Sequence, residues 1–183
     1  MESITNLHRR GFLRAALAGV GTALITPAWA NLIPTAEQKL RLYHTHTGEK
    51  LEVIYKRQGR YISTALEEIN RLCRDHRSGE VYTIDPGLLD QLHTLQSATA
   101  GPDACFEIIS AYRSPKTNTM LRRTGSGVAK RSLHMQGKAI DVRLTNHRLS
   151  KLHRAALAMK AGGVGYYPKS GFLHLDTGRV RAW

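Results

Sequence analysis

Cysteine is almost missing from these 183 residues: there are two, Cys73 and Cys105. That excludes a disulfide-stapled scaffold, and without a Cys-x-x-Cys pattern it also speaks against a cysteine zinc site or a dithiol redox centre. The two could form one bond in an oxidising compartment or stay as buried free thiols, and the spacing does not choose between these. Acidic residues are scarce as well, 14 against 27 Lys and Arg, which leaves a formal charge of +13. Long apolar runs are missing too. The stretch from Ala15 to Ile25 is interrupted by Gly19 and Gly21 and stopped by Pro27, and it falls short of the roughly 20 residues that a membrane-spanning helix needs. No internal repeat and no low-complexity segment is visible.

What is there begins with an address. Arg9-Arg10-Gly11-Phe12-Leu13, the short apolar run and Ala28-Trp29-Ala30 read as a twin-arginine export signal over residues 1–30, with cleavage leaving a chain that starts near Asn31. Cleavage removes Arg9, Arg10, Arg14 and Glu2, so 24 basic and 13 acidic residues remain, a net +11. An exported protein of that charge is expected in the periplasm, with no membrane span after cleavage. There it meets anionic cell-wall polymer and lipid head groups rather than nucleic acid. Residues 31–37 read as a linker, since Pro34 and the lack of periodicity offer nothing to pack. Residues 38–183 read as one domain, and a hydrophobic fraction of 42% supports a real core.

Along that domain, Lys39 to Thr47 and Lys50 to Lys56 alternate apolar and polar residues around Thr47-Gly48-Glu49, a hairpin signal. His44 and His46 share one face of the first strand, but with no third ligand the pair is not read as a metal site. Ile62, Ala65, Leu66, Ile69, Leu72 and Cys73 recur at helical spacing, predicting a helix from Tyr61 to Arg77 with a Thr64–Glu67 capping box. A second helix opens with Asp85 as N-cap and Pro86 at its first position, burying Leu88, Leu89, Leu92 and Leu95. Cys105 to Ser110 reads as a strand, Pro115 to Arg123 as a short helix, and Ser150 to Ala161 as a helix capped by Gly162-Gly163. Val164 to Tyr167 is a further strand. His147 and His153 lack ligand spacing and read as surface residues.

The chain is organised around Ser132 to Asp141, SLHMQGKAID, and its counterpart Phe172 to Gly178, FLHLDTG. On one helix His134 and Asp141 would stand about 10 Å apart at roughly 1.5 Å per residue, too far to share an ion. A loop that carries His134, turns at Gly137 and enters a strand near Ala139 can bring them together. Alternation then puts Asp141 and Arg143 on one face against Ile140, Val142 and Leu144, and Phe172, His174 and Asp176 against Leu173 and Leu175. If the two strands pair, His174 meets His134 and Asp141. Two imidazoles and a carboxylate are the ligand set of a catalytic zinc that keeps one position open.

The pattern S-x-H-x-x-G-x-A-x-D, Ser132 to Asp141, with His174 as the late histidine, resembles the zinc D-alanyl-D-alanine metallopeptidases and their hedgehog and lysostaphin-like relatives. Similarity to exported cell-wall endopeptidases of this group extends over IDPGLLDQL from Ile84, ISAYRSPKTN from Ile109, GVAKRSLHMQGKAID from Gly127 and AGGVGYYPKSGFLHLDTG from Ala161. The resemblance implies an α+β fold, an antiparallel sheet flanked by helices as in the hedgehog and D,D-peptidase group. It implies one zinc ion on His134, Asp141 and His174, and peptidoglycan peptide cross-links as substrate, with preference for the 3-3 link between two meso-diaminopimelate residues. In the S-x-Y-R-S pattern Arg113 would grip a substrate carboxylate, which a guanidinium does in bidentate fashion. Ser132 and Tyr166 are further candidates for contact with substrate, Tyr166 or its neighbour Tyr167 as an oxyanion donor.

The chain departs from the group where a general base is expected, three or two residues before the last ligand: Gly171 and Phe172 stand there. Asp176 is the nearest ionisable candidate, either as that base or as a group that orients His174. Two other classes are compatible with the same residues. A non-haem iron oxygenase also uses two His and one carboxylate, and a peptidoglycan-binding module could keep a degenerate zinc site.

Overall fold

The computed structural model describes residues 37–125 and 127–183. The export signal, its cleavage site and the linker up to residue 36 lie outside the described residues, as does Ser126. Glu37, read from sequence as linker, already belongs to the first strand.

Strands β1 (Glu37–His44) and β2 (Lys50–Arg57) form the expected antiparallel hairpin, extended by the short β3 (Arg60–Tyr61). Helices α1 (Ser63–Leu72) and α2 (Pro86–Thr99) follow, then β4 (Cys105–Ser110) and α3 (Pro115–Thr124). The rest is β5 (Ala139–Leu144), α4 (Leu149–Met159), β6 (Gly163–Tyr167), β7 (Phe172–Asp176) and β8 (Arg181–Ala182). The eight strands make one sheet in the order β3-β2-β1-β4-β5-β7-β6-β8.

The α+β class holds, but the sheet is mixed rather than antiparallel: β1 pairs with β4, and β6 with β8, in parallel. The connections permit both exceptions. The chain leaves the hairpin through two helices before β4, and a crossover of that length can return a strand in either direction. After β7 the chain reverses and passes over β6, so β8 runs with β6.

One face of the sheet is the core. Leu42 pairs with Phe106, Ile108 with Val142 and Ile140 with Leu175, and this layer meets Ile69 of α1, Leu88, Leu92 and Leu95 of α2 and Leu152 of α4, all buried. Burial of such side chains is worth about 1.5–3 kcal/mol each. The opposite face of β5 and β7 is left for polar groups.

Three local readings are corrected. Helix α1 is shorter than Tyr61–Arg77, and the Thr64–Glu67 capping box does not form, because the N-cap is Ile62, whose side chain cannot accept a hydrogen bond. Beyond Leu72 the chain is claimed by Asp75, whose carboxylate accepts from the backbone N–H groups of Arg77 and Ser114. Helix α4 ends on Lys160 in the left-handed region, so Gly162 and Gly163 are not its cap. They serve a close approach, since a Cβ on either would collide with Asp176. By contrast α2 starts as its sequence dictates, with Pro86 at the first turn and the Asp85 side chain accepting from Gly87 N–H at 2.9 Å. The two cysteines are free thiols, Cys73 buried and Cys105 half-buried.

Candidate metal centre

The six residues between His134 and Asp141 are spent on a single 3₁₀ turn, Leu133–Gln136, and its exit. Ser132 opens the turn, its Oγ accepting from His134 N–H at 3.3 Å. Gly137 closes it at φ 65°, in the left-handed region, where a Cβ would run into the Thr83 carbonyl oxygen. Glycine is therefore required twice over, for backbone conformation and for space. The chain then enters β5, and the register places Asp141 opposite His174 of β7, which lies opposite Gly165 of β6.

Three ligand atoms converge. His134 Nε2 is 3.3 Å from His174 Nδ1 and 3.4 Å from Asp141 Oδ2, and His174 Nδ1 is 2.9 Å from Asp141 Oδ1. A tetrahedral ion with bonds of about 2.0–2.1 Å would hold its ligands roughly 3.3 Å apart. The other ring nitrogens are already engaged. His134 Nδ1 lies 2.6 Å from the Ala111 carbonyl oxygen, which can only accept, so that nitrogen carries the proton and Nε2 offers its lone pair. His174 Nε2 lies 3.1 Å from Asp176 Oδ2, which leaves Nδ1 facing the centre. Lone pairs of three groups thus meet at one point, an arrangement that calls for a positive charge between them. These are the residues, among those described, whose groups could hold a metal ion.

The titration of the same groups tells the same story. Burial works against ionisation of Asp141, yet His134 and His174 hold its carboxyl well below the usual carboxylate range. For His174 burial opposes the charged form, but hydrogen bonds to Asp141 and Asp176 raise it to about 8.

The sequence leaves Asp176 two roles, as a base or as a group that orients His174, and its surroundings bear on both. It is fully buried and accepts from five donors: Gly163 N–H, Gly178 N–H, both terminal nitrogens of Arg181, and His174 Nε2. Burial disfavours its charge, but the hydrogen bonds from His174 and Arg181 hold the carboxyl well below its ordinary value. No lone pair is free to take a proton from a water in the cleft, and the group stands behind His174. Its hydrogen bond to His174 Nε2 is the contact by which a carboxylate can orient a metal-ligating imidazole.

An open cleft of about 460 Å³ lies in front of the three ligand groups. Arg113 borders it, 4.0 Å from Asp141 Oδ2, with Nη1 on Asn118 and Nη2 on Ser110. Its Nε is buried without a partner. Ser132 also borders the cleft, though its hydroxyl is occupied as the cap of the turn.

Tyr166 does not border it. The residue pairs with core Leu173 and stacks on His153 of α4 with ring centroids 4.4 Å apart, so it points to the helix side of the sheet. This also corrects His153, which is half-buried rather than on the surface. Tyr167 faces the cleft instead, stacked on Phe172, with its hydroxyl accepting from Trp183 Nε1–H at 2.8 Å.

Sequence reasoning missed Arg181 and Trp183. Trp183 lies with its ring 5.2 Å from that of His174 and 4.8 Å from the Arg181 guanidinium. Neither carries a local motif, since they reach the site from β8, two strands away from β7. His44 and His46 do acquire a third neighbour, His76, but the His46 and His76 rings are stacked at 4.1 Å and nearly parallel. In-plane lone pairs of parallel rings do not converge on an ion.

With that geometry in view, comparison with known proteins is informative. The family model described as Peptidoglycan L,D-endopeptidase MepK matches residues 34–183. Peptidoglycan L,D-endopeptidase MepK of Escherichia coli (strain K12) is 42% identical over 177 residues, 96% of this chain and 97% of its own length. The probable peptidoglycan L,D-endopeptidase MepK of Haemophilus influenzae is 34% identical over 177 residues, 96% of this chain and 95% of its own. A match of this extent, end to end across the described domain, makes the chain a member of the peptidoglycan L,D-endopeptidase MepK family, and hence a metallopeptidase.

Proposed function

We propose that this protein is a zinc-dependent endopeptidase that hydrolyses the 3-3 cross-link of peptidoglycan, between two meso-diaminopimelate residues, in the periplasm after twin-arginine export and removal of residues 1–30. The convergence of His134 Nε2, Asp141 and His174 Nδ1 carries the reading, because its donor set suits a metal with an open position. The relatives' names support the choice of link. In the 3-3 link the scissile bond joins an L-centre carbonyl to a D-centre amine, whereas the 4-3 link joins two D-centres. Among the described residues no helix is long and apolar enough to cross a membrane.

A divalent cation held by the three groups would polarise the scissile carbonyl and acidify a bound water to a pKa of about 7. This chain's residues do the rest. Arg113, largely buried at the end of β4, holds the carboxylate next to the leaving amine and so fixes the bond over the ligand groups. Ser132 and Gly137 lock the turn that aims His134, and Asp176 locks His174.

Tyr167 replaces Tyr166 as the oxyanion donor. Its ring leans over Gly165, where a Cβ would meet both the Tyr167 and Trp183 rings at 2.9 and 2.8 Å, and Gly165 is the residue opposite His174. Because the phenol oxygen accepts from Trp183, its own O–H is free to donate toward the cleft. Loss of one oxyanion donor costs about 10²–10³ in kcat. Tyr167→Phe, which keeps the stacking on Phe172, is expected to lower kcat about a hundredfold with KM and metal content unchanged. Wild-type kcat in that variant would remove the phenol from the reaction.

The functional reading is tested by digesting purified muropeptide dimers of each cross-link type under anaerobic conditions, with and without a chelator. Release of monomers from 3-3 dimers, abolished by the chelator and restored by zinc, is the expected result. Cleavage of 4-3 dimers alone would overturn the link assignment, a requirement for oxygen would point to the iron oxygenase class, and sacculus binding with no release would point to a binding module.

A further inference from the structure

From Ile108 to Ile140 the chain runs 33 residues without a single Asp or Glu while carrying seven Lys or Arg. This stretch contains α3 and the segment that leads into the cleft. On the sheet several basic side chains are neutralised: Arg41 pairs with Glu52, Lys56 with Asp90, Arg57 with Glu37 and Arg143 with Glu107. Around α3 the ion pairs of the described residues engage Arg74 and Arg113 but none of Arg77, Lys116, Arg122 or Arg123.

Three of these line one groove. Lys116 and Arg123 of α3 face Arg77 across a depression of about 680 Å³, with Met120, 43% exposed, between them. The fold does not account for this placement. Arg122 and Arg123 sit in the last turn of α3, where cations suit the helix dipole, but Lys116 is in the first turn, where a cation is disfavoured. The chain ties the groove to the cleft at both ends of α3. The groove begins at Pro115, two residues beyond Arg113 of the cleft wall, and the segment that follows α3 contributes Gly127, Ala129 and Arg131 to that wall.

We infer that the α3 groove is a docking surface for the peptidoglycan strand outside the scissile cross-link, an anionic polymer whose stem peptides carry repeated carboxylates. The inference rests on the function proposed above, since it is the attachment of the groove to the cleft wall through Arg113 and Pro115 that selects the wall polymer over other polyanions. An open row of cations next to a cleft attracts such a polymer at long range and retains it between cuts, with an effect that salt screens.

The test is the triple variant Arg77→Gln, Lys116→Gln, Arg123→Gln, which keeps good helix formers on α3. Its initial rate on intact sacculi at low salt is expected to fall about tenfold, as is its binding to them, while its rate on soluble 3-3 dimers stays within about twofold of wild type. The wild-type rate on sacculi should fall with added salt and the variant's should not. An unchanged melting temperature confirms that α3 is intact. Equal loss on both substrates would place the three cations in the cleft's own work, and no loss on either would abolish the docking surface. Loss of binding to anionic phospholipid vesicles with sacculus binding retained would reassign the groove to a lipid surface. Should the wild type leave the soluble dimers uncut, it is the proposed function that fails, not the groove.

Discussion

Replacement of His134 by alanine is expected to abolish hydrolysis of cross-linked muropeptides, by at least about three orders of magnitude, and to strip the protein of metal. His134 supplies one of three converging ligand atoms, and its Nδ1–H is spent on the Ala111 carbonyl, so no neighbouring group can take over at Nε2. The two ligands left behind, Asp141 and His174, already contact each other at 2.9 Å. Without the third they close into a simple ion pair. The fold should survive, because the turn is set by Ser132 and Gly137 and by backbone hydrogen bonds from Gly137 and Lys138 rather than by the imidazole. The variant leaves the buried Ala111 carbonyl without its partner, a cost of about 1–3 kcal/mol. Metal analysis, a melting curve and chromatography of digested dimers check the three parts separately. Wild-type metal content together with full activity would exclude His134 from the centre.

Much of this geometry was legible in the chain because strands alternate strictly. Reading Ala139 to Leu144 and Phe172 to Asp176 as strands places Asp141 and His174 on one face, and their register in the structure makes them direct neighbours. The same rule applied one strand further would have separated the two tyrosines: with Gly165 opposite His174, Tyr167 and not Tyr166 shares the polar face. That signal was present and unused, because a pair of adjacent tyrosines reads the same from either side until the partner of Gly165 is known. The direction of pairing was not legible at all. Parallel and antiparallel strands show the same two-residue period, so nothing in Glu37–His44 or Cys105–Ser110 announces that they run together. Arg181 was equally hidden, since its partner Asp176 lies on a strand that β8 does not touch. The alternation could say that Asp176 shares a face with His174, but whether it was free or saturated depended on an arginine that arrives from across the sheet.

That saturation makes Asp176→Asn the most informative variant after His134→Ala. The amide can still accept from the N–H groups of Gly163 and Gly178 at one end. At the other end its NH₂ faces Arg181 Nη2 and His174 Nε2, both of which donate to the carboxylate at 2.6 and 3.1 Å. Donor meets donor, so the His174 ring must turn or shift its proton to Nδ1, the very atom that faces the centre. Losing such a carboxylate behind a ligating imidazole typically weakens metal affinity 10–100-fold. Stability falls too. Removing one partner of a buried charge pair costs about 3–5 kcal/mol, and the low end applies because the Arg181 side chain is 32% exposed and can recover water. For a chain of this length the melting temperature should drop by roughly 6–12 °C. The loss of affinity is finite, so excess zinc should restore part of the metal occupancy and part of the activity, which it cannot do in His134→Ala. A variant that melts and binds metal as the wild type does would show that Asp176 holds neither Arg181 nor His174 in place. A variant that binds metal normally yet has lost all hydrolysis would return Asp176 to the role of proton acceptor that its burial now argues against.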